Sequence, residues 1–230
     1  QRRILSSHPS GPTPLPMMMP SYSIKEALVF EDPFLIILEK ESGLLSQPGL
    51  GASQYDSLIV RAQQHWPGAQ IVHRLDRDTS GLIVLALDAE THRMLSRQFA
   101  KRCVKKLYRA RVAGCPKHKK GTIVAPIRKQ SARPPHYCVD YQHGREAITH
   151  WVLLEAGGPS ARIELRPLTG RSHQLRVHME YLGHPILGDP LYGNEASRNG
   201  LSRLGLHASA LALRHPQTGK WLGWSSREPF

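Results

Sequence analysis

Acidic residues are scarce in this sequence of 230 residues. It holds 18 Asp and Glu against 31 Lys and Arg, so the formal net charge is +13 and the pI is about 10.1. A two-metal nuclease needs several carboxylates that converge on one site, and only seven aspartates and eleven glutamates exist here. Asp76 and Asp78 form the only D-x-D pair. We therefore expect either chemistry without a metal or binding without chemistry.

Cysteine and long apolar runs are scarce as well. The three cysteines, Cys103, Cys115 and Cys138, are odd in number and form no C-x-x-C pair, which argues against a disulfide framework and a zinc ribbon. No run approaches the roughly 18 apolar residues that a membrane-spanning helix needs, so no membrane partner is expected. The thirteen histidines form no H-E-x-x-H motif or compact His/Cys cluster, so no metal site is predicted.

Residues 1–23 differ in composition from the rest of the chain. They hold five prolines and no acid, which predicts a disordered lead-in before a folded domain at 24–230. The segment lacks the apolar stretch of a secretory signal, although Arg2, Arg3 and its serines leave an organelle-transit segment open. Unpaired cysteines are typical of a reducing compartment, and the segment shows no secretory signal. We therefore predict a cytoplasmic protein, with an organelle as the alternative.

The pattern from residue 24 onward predicts an α+β domain. Two apolar runs broken at Asp32-Pro33 indicate a hairpin. Helices are predicted at 57–66 and, capped by Asp88, at 89–102. Further strands are predicted at 71–76, 82–87, 106–112, 121–127, 147–155, 161–167, 206–213 and 221–224. Because the strands outnumber the helices without regular βαβ alternation, the sheet should be largely antiparallel.

Positive charge is concentrated in one part of the chain. Residues 91–139 contain 14 Lys or Arg and no Asp or Glu. A basic face that serves only solubility is one interpretation, but charges of both signs are normally interspersed on a surface. We expect instead a footprint for nucleic acid.

Asp76 ends one predicted buried strand and comes shortly before the next, in the segment 71–84. A carboxylate in that position is partly desolvated, which is costly unless a cation or hydrogen bonds compensate. A structural ion pair within the HRLD sequence at 73–76 would explain it, and so would a functional site.

A second polar segment covers residues 166–179. Ser172 is predicted to cap a helix with an apolar stripe of Leu175, Met179 and Leu182. Arg171 and Arg176 near its start oppose the helix dipole, which is better explained if they face an anion, either a phosphate or a carboxylate such as Asp76. Two solvated arginines on an exposed turn are the alternative.

Several motifs together resemble the RluA family of pseudouridine synthases. They are HRLD at 73–76 with TSGL at 79–82, GRSHQLRVH at 170–178, and GHPILGDPLYG at 183–193. The resemblance extends from residue 28 to the C-terminus and is to the short type that has the catalytic domain alone. Glu41 departs from the family pattern, which usually has proline there.

The resemblance implies isomerisation of uridine in structured rRNA or tRNA without a cofactor or metal, by a monomer. It implies a long mixed sheet flanked by helices, with a central RNA-binding cleft. Asp76 matches the essential aspartate, which acts as a nucleophile or as the base that takes a sugar proton. Arg176 matches the arginine that pairs with it, and Tyr108 matches the tyrosine that stacks on the uracil and helps remove the C5 proton.

The substrate nucleotide would have to be flipped out of its stack to reach Asp76. Arg74 resembles the arginine that fills the vacated space, and Leu175 would supply an apolar floor. Lys106 and Arg171 are predicted to contact RNA. A non-catalytic RNA-binding or ribosome-assembly protein on the same fold is the alternative, and a metal nuclease that uses Asp76 and Asp78 is a weaker one. The sequence does not identify the uridine.

Overall fold

A computed structural model describes residues 23–132 and 135–230; the predicted lead-in, apart from its last residue, lies outside them. In this part the chain forms twelve strands, four α-helices and one short 3-10 helix at Ala52–Gln54. The strands are β1 Leu28–Glu31, β2 Leu35–Lys40, β3 Gln70–Ile71, β4 Ser80–Ala86, β5 Lys105–Ala113, β6 Lys120–Val124, β7 Ile127–Ala132, β8 Pro135–Val139, β9 Ile148–Gly157, β10 Ser160–Pro167, β11 Leu206–Arg214 and β12 Trp221–Ser225. The helices are α1 Leu58–Gln63, α2 Ala89–Ala100, α3 Gln174–Tyr181 and α4 Glu195–Arg198.

Ten of these strands form one sheet. Eight follow the order β1-β2-β4-β11-β5-β10-β9-β6, while β3 pairs with β4 and β12 pairs with β11. Within the described residues every pairing in this sheet is antiparallel except that of β11 with β4. Strands β7 and β8 form a separate hairpin. The predicted α+β class with a largely antiparallel, mixed sheet is confirmed.

The centre of the sheet is covered on both faces. Ile36 and Leu38 of β2 pack in a cluster with α1, whereas Leu35 and Ile37 pack on the other face in a cluster with α2. Because neither face meets solvent, β2 and β4 are continuous apolar runs in the sequence. A third cluster packs α3 against β5, β9 and β10.

Gly81 allows β11 to approach the start of β4 closely. Its φ is +112°, and a Cβ built there would lie 2.4 Å from the carbonyl oxygen of Ala208. Glycine adopts this conformation without steric cost and leaves room for the neighbouring backbone. The junction fixes the end of the loop that carries Asp76.

The predicted strand at 71–76 is wrong beyond its first residue. β3 ends at Ile71, and the Nε2 atom of His73 accepts the Val84 backbone N–H at 3.1 Å. The imidazole therefore replaces the carbonyl that a continuing strand would have offered to β4, and its ring stacks on Phe99. Because the side chain takes over this hydrogen bond, the backbone leaves the sheet as a loop. Burial lowers the pKa of His73 to about 3, so the ring stays neutral and can accept.

The segment predicted as one strand at 121–127 is divided. β6 ends at Val124, and β7 begins at Ile127 in a hairpin that the sequence did not predict. Pro126 between them has no N–H to donate to a ladder. The first helix is also shorter than predicted and ends at Gln63. The Asp88 cap is confirmed, since its carboxylate accepts the Thr91 N–H at 2.8 Å.

Candidate active site

An open cleft of about 2310 Å³ lies beside the loop between β3 and β4. Pockets for small molecules have volumes of about 300–1,000 Å³, so this cleft is of a size for a macromolecular ligand. All seven site residues predicted from the sequence line it, namely Arg74, Asp76, Lys106, Tyr108, Arg171, Leu175 and Arg176.

The backbone on both sides of Asp76 is held by the turn that follows β2. Ser46 Oγ donates to the Leu75 carbonyl at 2.7 Å and accepts the Leu75 N–H at 3.1 Å. Ser42 Oγ donates to the Asp78 carbonyl at 2.7 Å. The residues before and after Asp76 are thus fixed, while its own side chain remains 29% exposed toward the cleft.

The Lys40 side chain also holds the two loop segments together. Its side chain is fully buried, and Nζ donates to the carbonyl oxygens of Glu41, Leu44 and Arg77 at 2.6–2.8 Å. Burial lowers the pKa of Lys40 to about 7, against the opposing charges of Asp78 and Asp76. Three carbonyl acceptors match the three N–H groups of the protonated amine, so the site is built for an ammonium ion.

Arg176 of α3 lies under the Asp76 carboxylate. Its Nη1 atom is 3.6 Å from Asp76 Oδ2, while Nε and Nη2 each donate to Asp189 at 2.7 Å. Both Arg176 and Asp189 are buried, and the guanidinium also lies 5.0 Å from the ring centroid of Tyr192. Burial opposes the charge of Arg176, but the hydrogen bonds and charge of Asp189 raise its pKa above the ordinary value. The predicted ion pair with Asp76 is therefore the longer of the two ion pairs that Arg176 makes. The fork of two hydrogen bonds from Arg176 to Asp189 fixes the guanidinium.

Asp189 and Tyr192 received no role from the sequence. Asp189 also accepts the N–H groups of Leu191 and Tyr192 at 2.9 and 3.2 Å. The Tyr192 hydroxyl accepts the Tyr137 N–H of β8 at 3.0 Å and lies 2.8 Å from His173 Nδ1. One signal was available: a carboxylate within the apolar segment 186–191 of an acid-poor chain needs a buried partner.

The predicted Ser172 cap of α3 is wrong. His173 occupies the N-cap position with a left-handed φ of +55° and makes no capping hydrogen bond with its side chain. Gln174 replaces the cap, since its Oε1 accepts the Arg171 N–H at 3.0 Å and the Thr169 hydroxyl at 2.7 Å. The side chain of Gln174, the first residue of α3, thus accepts the hydrogen bonds that a capping side chain before the helix was expected to take.

Tyr108 and Lys106 project from the same face of β5, because they are two residues apart in a strand. Burial, together with the charge of Asp76, raises the pKa of Tyr108, so its phenol stays protonated at neutral pH. Burial lowers the pKa of Lys106. Arg109 points to the other face of the sheet and pairs with Glu164.

The predicted basic footprint at 91–139 faces the cleft only in part. Arg102 and Lys106 line it, whereas Arg93 pairs with Glu90 on an exposed side of α2, and Arg133 lies outside the described residues. The remaining predicted contacts differ in character. Arg74 is exposed, and Leu175 is buried in the core cluster under α3. Arg171 donates through Nε to the Glu146 carbonyl at 3.0 Å.

Nothing in this part of the chain resembles a carboxylate cluster for metal ions. Asp78 pairs with Arg77 at 2.9 Å. Across residues 23–132 and 135–230, no group of three or more His, Cys, Asp or Glu side chains could hold a metal ion. The same residues include no helix that is both long and apolar enough to cross a membrane.

Comparison with known proteins gives the class of protein. The sequence pattern described as RNA pseudouridylate synthase matches residues 34–181. Members of this class are isomerases that convert uridine in RNA to pseudouridine. The dual-specificity RNA pseudouridine synthase RluA of Escherichia coli strain K12 is 42% identical over 204 residues, covering 88% of this chain and 93% of that protein. RluA of Pasteurella multocida is 40% identical with the same coverage. The chain belongs to the RluA family of pseudouridine synthases.

Solved structures agree with this result. Human RNA pseudouridylate synthase domain containing 1 superposes with a TM-score of 0.78 at 29% identity, covering 93% of this chain and 87% of that one. Human RNA pseudouridylate synthase domain containing 4 gives 0.70 at 26% identity and 90% coverage of each chain. The predicted fold and isomerase class are confirmed, and the non-catalytic alternative has no support.

Proposed function

We propose that this chain isomerises uridine in structured rRNA, tRNA or both, with Asp76 as the essential side chain. The observation that supports this most directly is the Asp76 carboxylate 3.6 Å from the buried Arg176 guanidinium, at a point open to the cleft. The fork with Asp189 fixes Arg176 on its far side, so the guanidinium stabilises negative charge on Asp76 without depending on a mobile side chain.

The reaction is balanced without a cofactor. The N1–C1′ bond of the uridine breaks, the uracil rotates, a C5–C1′ bond forms, the C5 proton leaves and N1 gains a proton. Asp76 acts in one of two ways, as a nucleophile toward the sugar or base, or as the base that takes a sugar proton. Both routes need a charged carboxylate beside the glycosidic bond, and the Arg176 guanidinium gives Asp76 a cationic neighbour 3.6 Å away.

Tyr108 and Leu175 are proposed to hold the uracil. Tyr108 offers an aromatic face for stacking, and Leu175 offers apolar contact from α3. Because the Tyr108 phenol stays protonated, its hydroxyl takes the C5 proton only while it passes its own proton to an acceptor, and the Asp76 carboxylate is the negative charge that acts on it. Flipping the nucleotide into this position costs a few kcal/mol, and the exposed Arg74 is proposed to fill the space that the nucleotide leaves.

Residues 24–230 are proposed as the catalytic domain, acting as a monomer in the cytoplasm, with an organelle as the alternative location. Lys106 and Arg171 are proposed to contact RNA at the cleft. Light scattering of the protein with and without RNA tests the monomer: a mass near 25.8 kDa for the free chain is expected. Twice that mass would contradict it.

Release of tritium from RNA labelled at uridine C5 tests the function, since the label must leave when C5 becomes the glycosidic carbon. Transcripts of tRNA and rRNA sequences are incubated with the wild-type protein, Asp76→Asn and Asp78→Asn. We expect release by the wild type and by Asp78→Asn, and none by Asp76→Asn, which should still bind RNA.

Other outcomes would contradict the proposal. Release by Asp76→Asn at the wild-type rate would remove this residue from the chemistry. Binding without release from every transcript would favour the non-catalytic alternative. Strand cleavage that both substitutions abolish would favour the nuclease.

A further inference from the structure

Arg102 adopts a backbone conformation that normally belongs to glycine. Its φ is +58°, at the position directly after the C-cap of α2. The Arg102 N–H donates to the Phe99 carbonyl at 3.0 Å and the Cys103 N–H to the Gln98 carbonyl at 2.9 Å. This is the Schellman pattern, in which glycine fits without strain. A long side chain kept at such a position, on the rim of a binding cleft, points to a role for that side chain.

The Arg102 side chain contacts a carboxylate at the lip of the cleft. Its Nη2 atom donates to Glu146 Oε1 at 2.8 Å, and the carbonyl of Glu146 accepts from Arg171 Nε at 3.0 Å. Lys106 Nζ lies 3.7 Å from the position that a Cβ on Gly170 would take, beside Arg171. Lys106 of β5, Arg102 of the turn before β5 and Arg171 of the loop before α3 thus lie at one lip of the cleft. Glu146 contacts two of these cations, Arg102 and Arg171.

We propose that Arg102 binds a phosphate of the RNA backbone at this lip, next to Lys106 and Arg171, and that Glu146 holds Arg102 until RNA displaces it. The inference rests on the RNA-binding function proposed above. The Arg102 and Glu146 side chains are 50% and 57% exposed. The pair is joined by the one hydrogen bond from Nη2 to Oε1, and ion pairs so exposed are weak, whereas a phosphate can engage the guanidinium through two hydrogen bonds.

A carboxylate in this place lowers affinity for every RNA alike. It competes with any phosphate for Arg102, so every RNA that uses this contact loses the same factor in affinity, and the ratio of affinities between two such RNAs does not change. Glu146 therefore acts as an internal competitor that weakens RNA binding at this lip.

Arg102→Gly removes the side chain and puts there a residue that fits the left-handed backbone conformation, so it tests the side chain without disturbing the fold. Binding is measured by filter retention at several salt concentrations, in an Asp76→Asn background, with a transcript that the wild-type protein turns over. We expect weaker binding and a log–log salt slope smaller by roughly 0.7–0.9, the value for one phosphate contact. The melting temperature should stay equal or rise, because glycine fits the left-handed position.

Two controls accompany this variant. Arg102→Lys should keep most of the slope because it retains the charge. Arg93→Gln removes one positive charge from an exposed pair with Glu90 on α2, away from the cleft, and should change the slope little. Wild-type binding and slope in Arg102→Gly would overturn the proposal, and so would an equal change in Arg93→Gln.

Glu146→Gln tests the competitor. We expect the dissociation constant to fall by about two- to fivefold, the range that an exposed ion pair represents. This gain should vanish in the double variant Arg102→Gly/Glu146→Gln, measured against Arg102→Gly, and should be absent in Glu90→Gln. Weaker binding by Glu146→Gln, or the same gain without Arg102, would overturn its role. Failure of the proposed function would appear separately, as no tritium release by the wild-type protein.

Discussion

Replacing Asp189 by asparagine removes the charge that fixes Arg176 and keeps the shape of the side chain. Asp189 is fully buried and accepts four hydrogen bonds, two from the Arg176 guanidinium and two from backbone N–H groups. One oxygen, Oδ1, accepts three of them. Asparagine can keep that oxygen in place, but its amide nitrogen must then face Arg176 Nε, so that two donors meet.

The expected loss in the free energy of unfolding follows from the burial of both Arg176 and Asp189. Breaking a buried ion pair by removing one partner destabilises a protein by about 3–5 kcal/mol, because the remaining charge loses its partner. Asp76 stays 3.6 Å from Arg176 and compensates part of the charge, so we expect a loss near the lower end of this range. A domain is typically stable by about 5–15 kcal/mol, so the loss should be a large share of the total. Arg176 should also lose its fixed orientation toward Asp76, and turnover should fall in the molecules that remain folded.

Urea unfolding and tritium release, measured on the same preparations, check both effects. Asp56→Asn is the matched control, since it makes the same chemical change in a pair with Arg61 where the Asp56 side chain is 63% exposed. That pair should be worth about 1 kcal/mol or less. If Asp189→Asn is within 1 kcal/mol of the wild type and retains its turnover, the argument that the fork holds Arg176 is refuted.

Three further predictions concern the chemistry, the pH dependence and the sheet junction. Tyr108→Phe should lower tritium release by about 10² or more while RNA binding persists, since it loses the hydroxyl and keeps the ring; near-normal release would exclude the relay. Burial lowers the pKa of His207 to about 4, so its neutral form stabilises the fold fully above about pH 6.5, and about 3 kcal/mol should be lost as the pH falls to 4. His73 adds a decline of its own in this window, so the test is the difference between two proteins: urea unfolding should show the wild type losing about 3 kcal/mol more than His207→Gln, and equal losses would contradict it. Gly81→Ala should cost at least about 3 kcal/mol in the same assay because its Cβ would meet the Ala208 backbone, whereas Gly43→Ala, also at positive φ but in open space, should cost about 1 kcal/mol. Equal costs would show that the close approach to β11 is unimportant.

Local patterns predicted most of the secondary structure because most of it obeys local rules. The break at Asp32-Pro33 separates β1 from β2, and each strand bound predicted for β9 to β12 differs from the structure by at most two residues. The strand at 71–76 failed for a tertiary reason. Its Ile, Val and Leu residues suit a strand, but the His73 side chain takes the hydrogen bond that would have continued the ladder. No spacing in the sequence reveals that an imidazole acts in place of a backbone carbonyl.

The site, like the fold, was predicted where local patterns decide it and not where tertiary contacts do. Motif resemblance and charge arguments selected residues that line one cleft, yet they assigned Arg176 a single partner. Asp189 lies thirteen residues further along the chain, and only the tertiary fold brings its carboxylate to Arg176. Strand parity was informative for β5, since the alternation already puts Arg109 opposite Tyr108. The basic residues of that strand could therefore have been divided between the two faces before the structure was known.

Asp76 and Arg176 are a hundred residues apart in the sequence, and each is held by buried polar groups on its own side. Lys40 and Ser46 fix the loop that bears Asp76, while Asp189 and Gln174 fix the start of α3. None of these contacts requires RNA, so the carboxylate and guanidinium are in place before substrate arrives. In the proposed reaction, binding energy is then needed mainly to flip the nucleotide, and the electrostatic stabilisation by Arg176 needs no reorganisation at the moment of reaction.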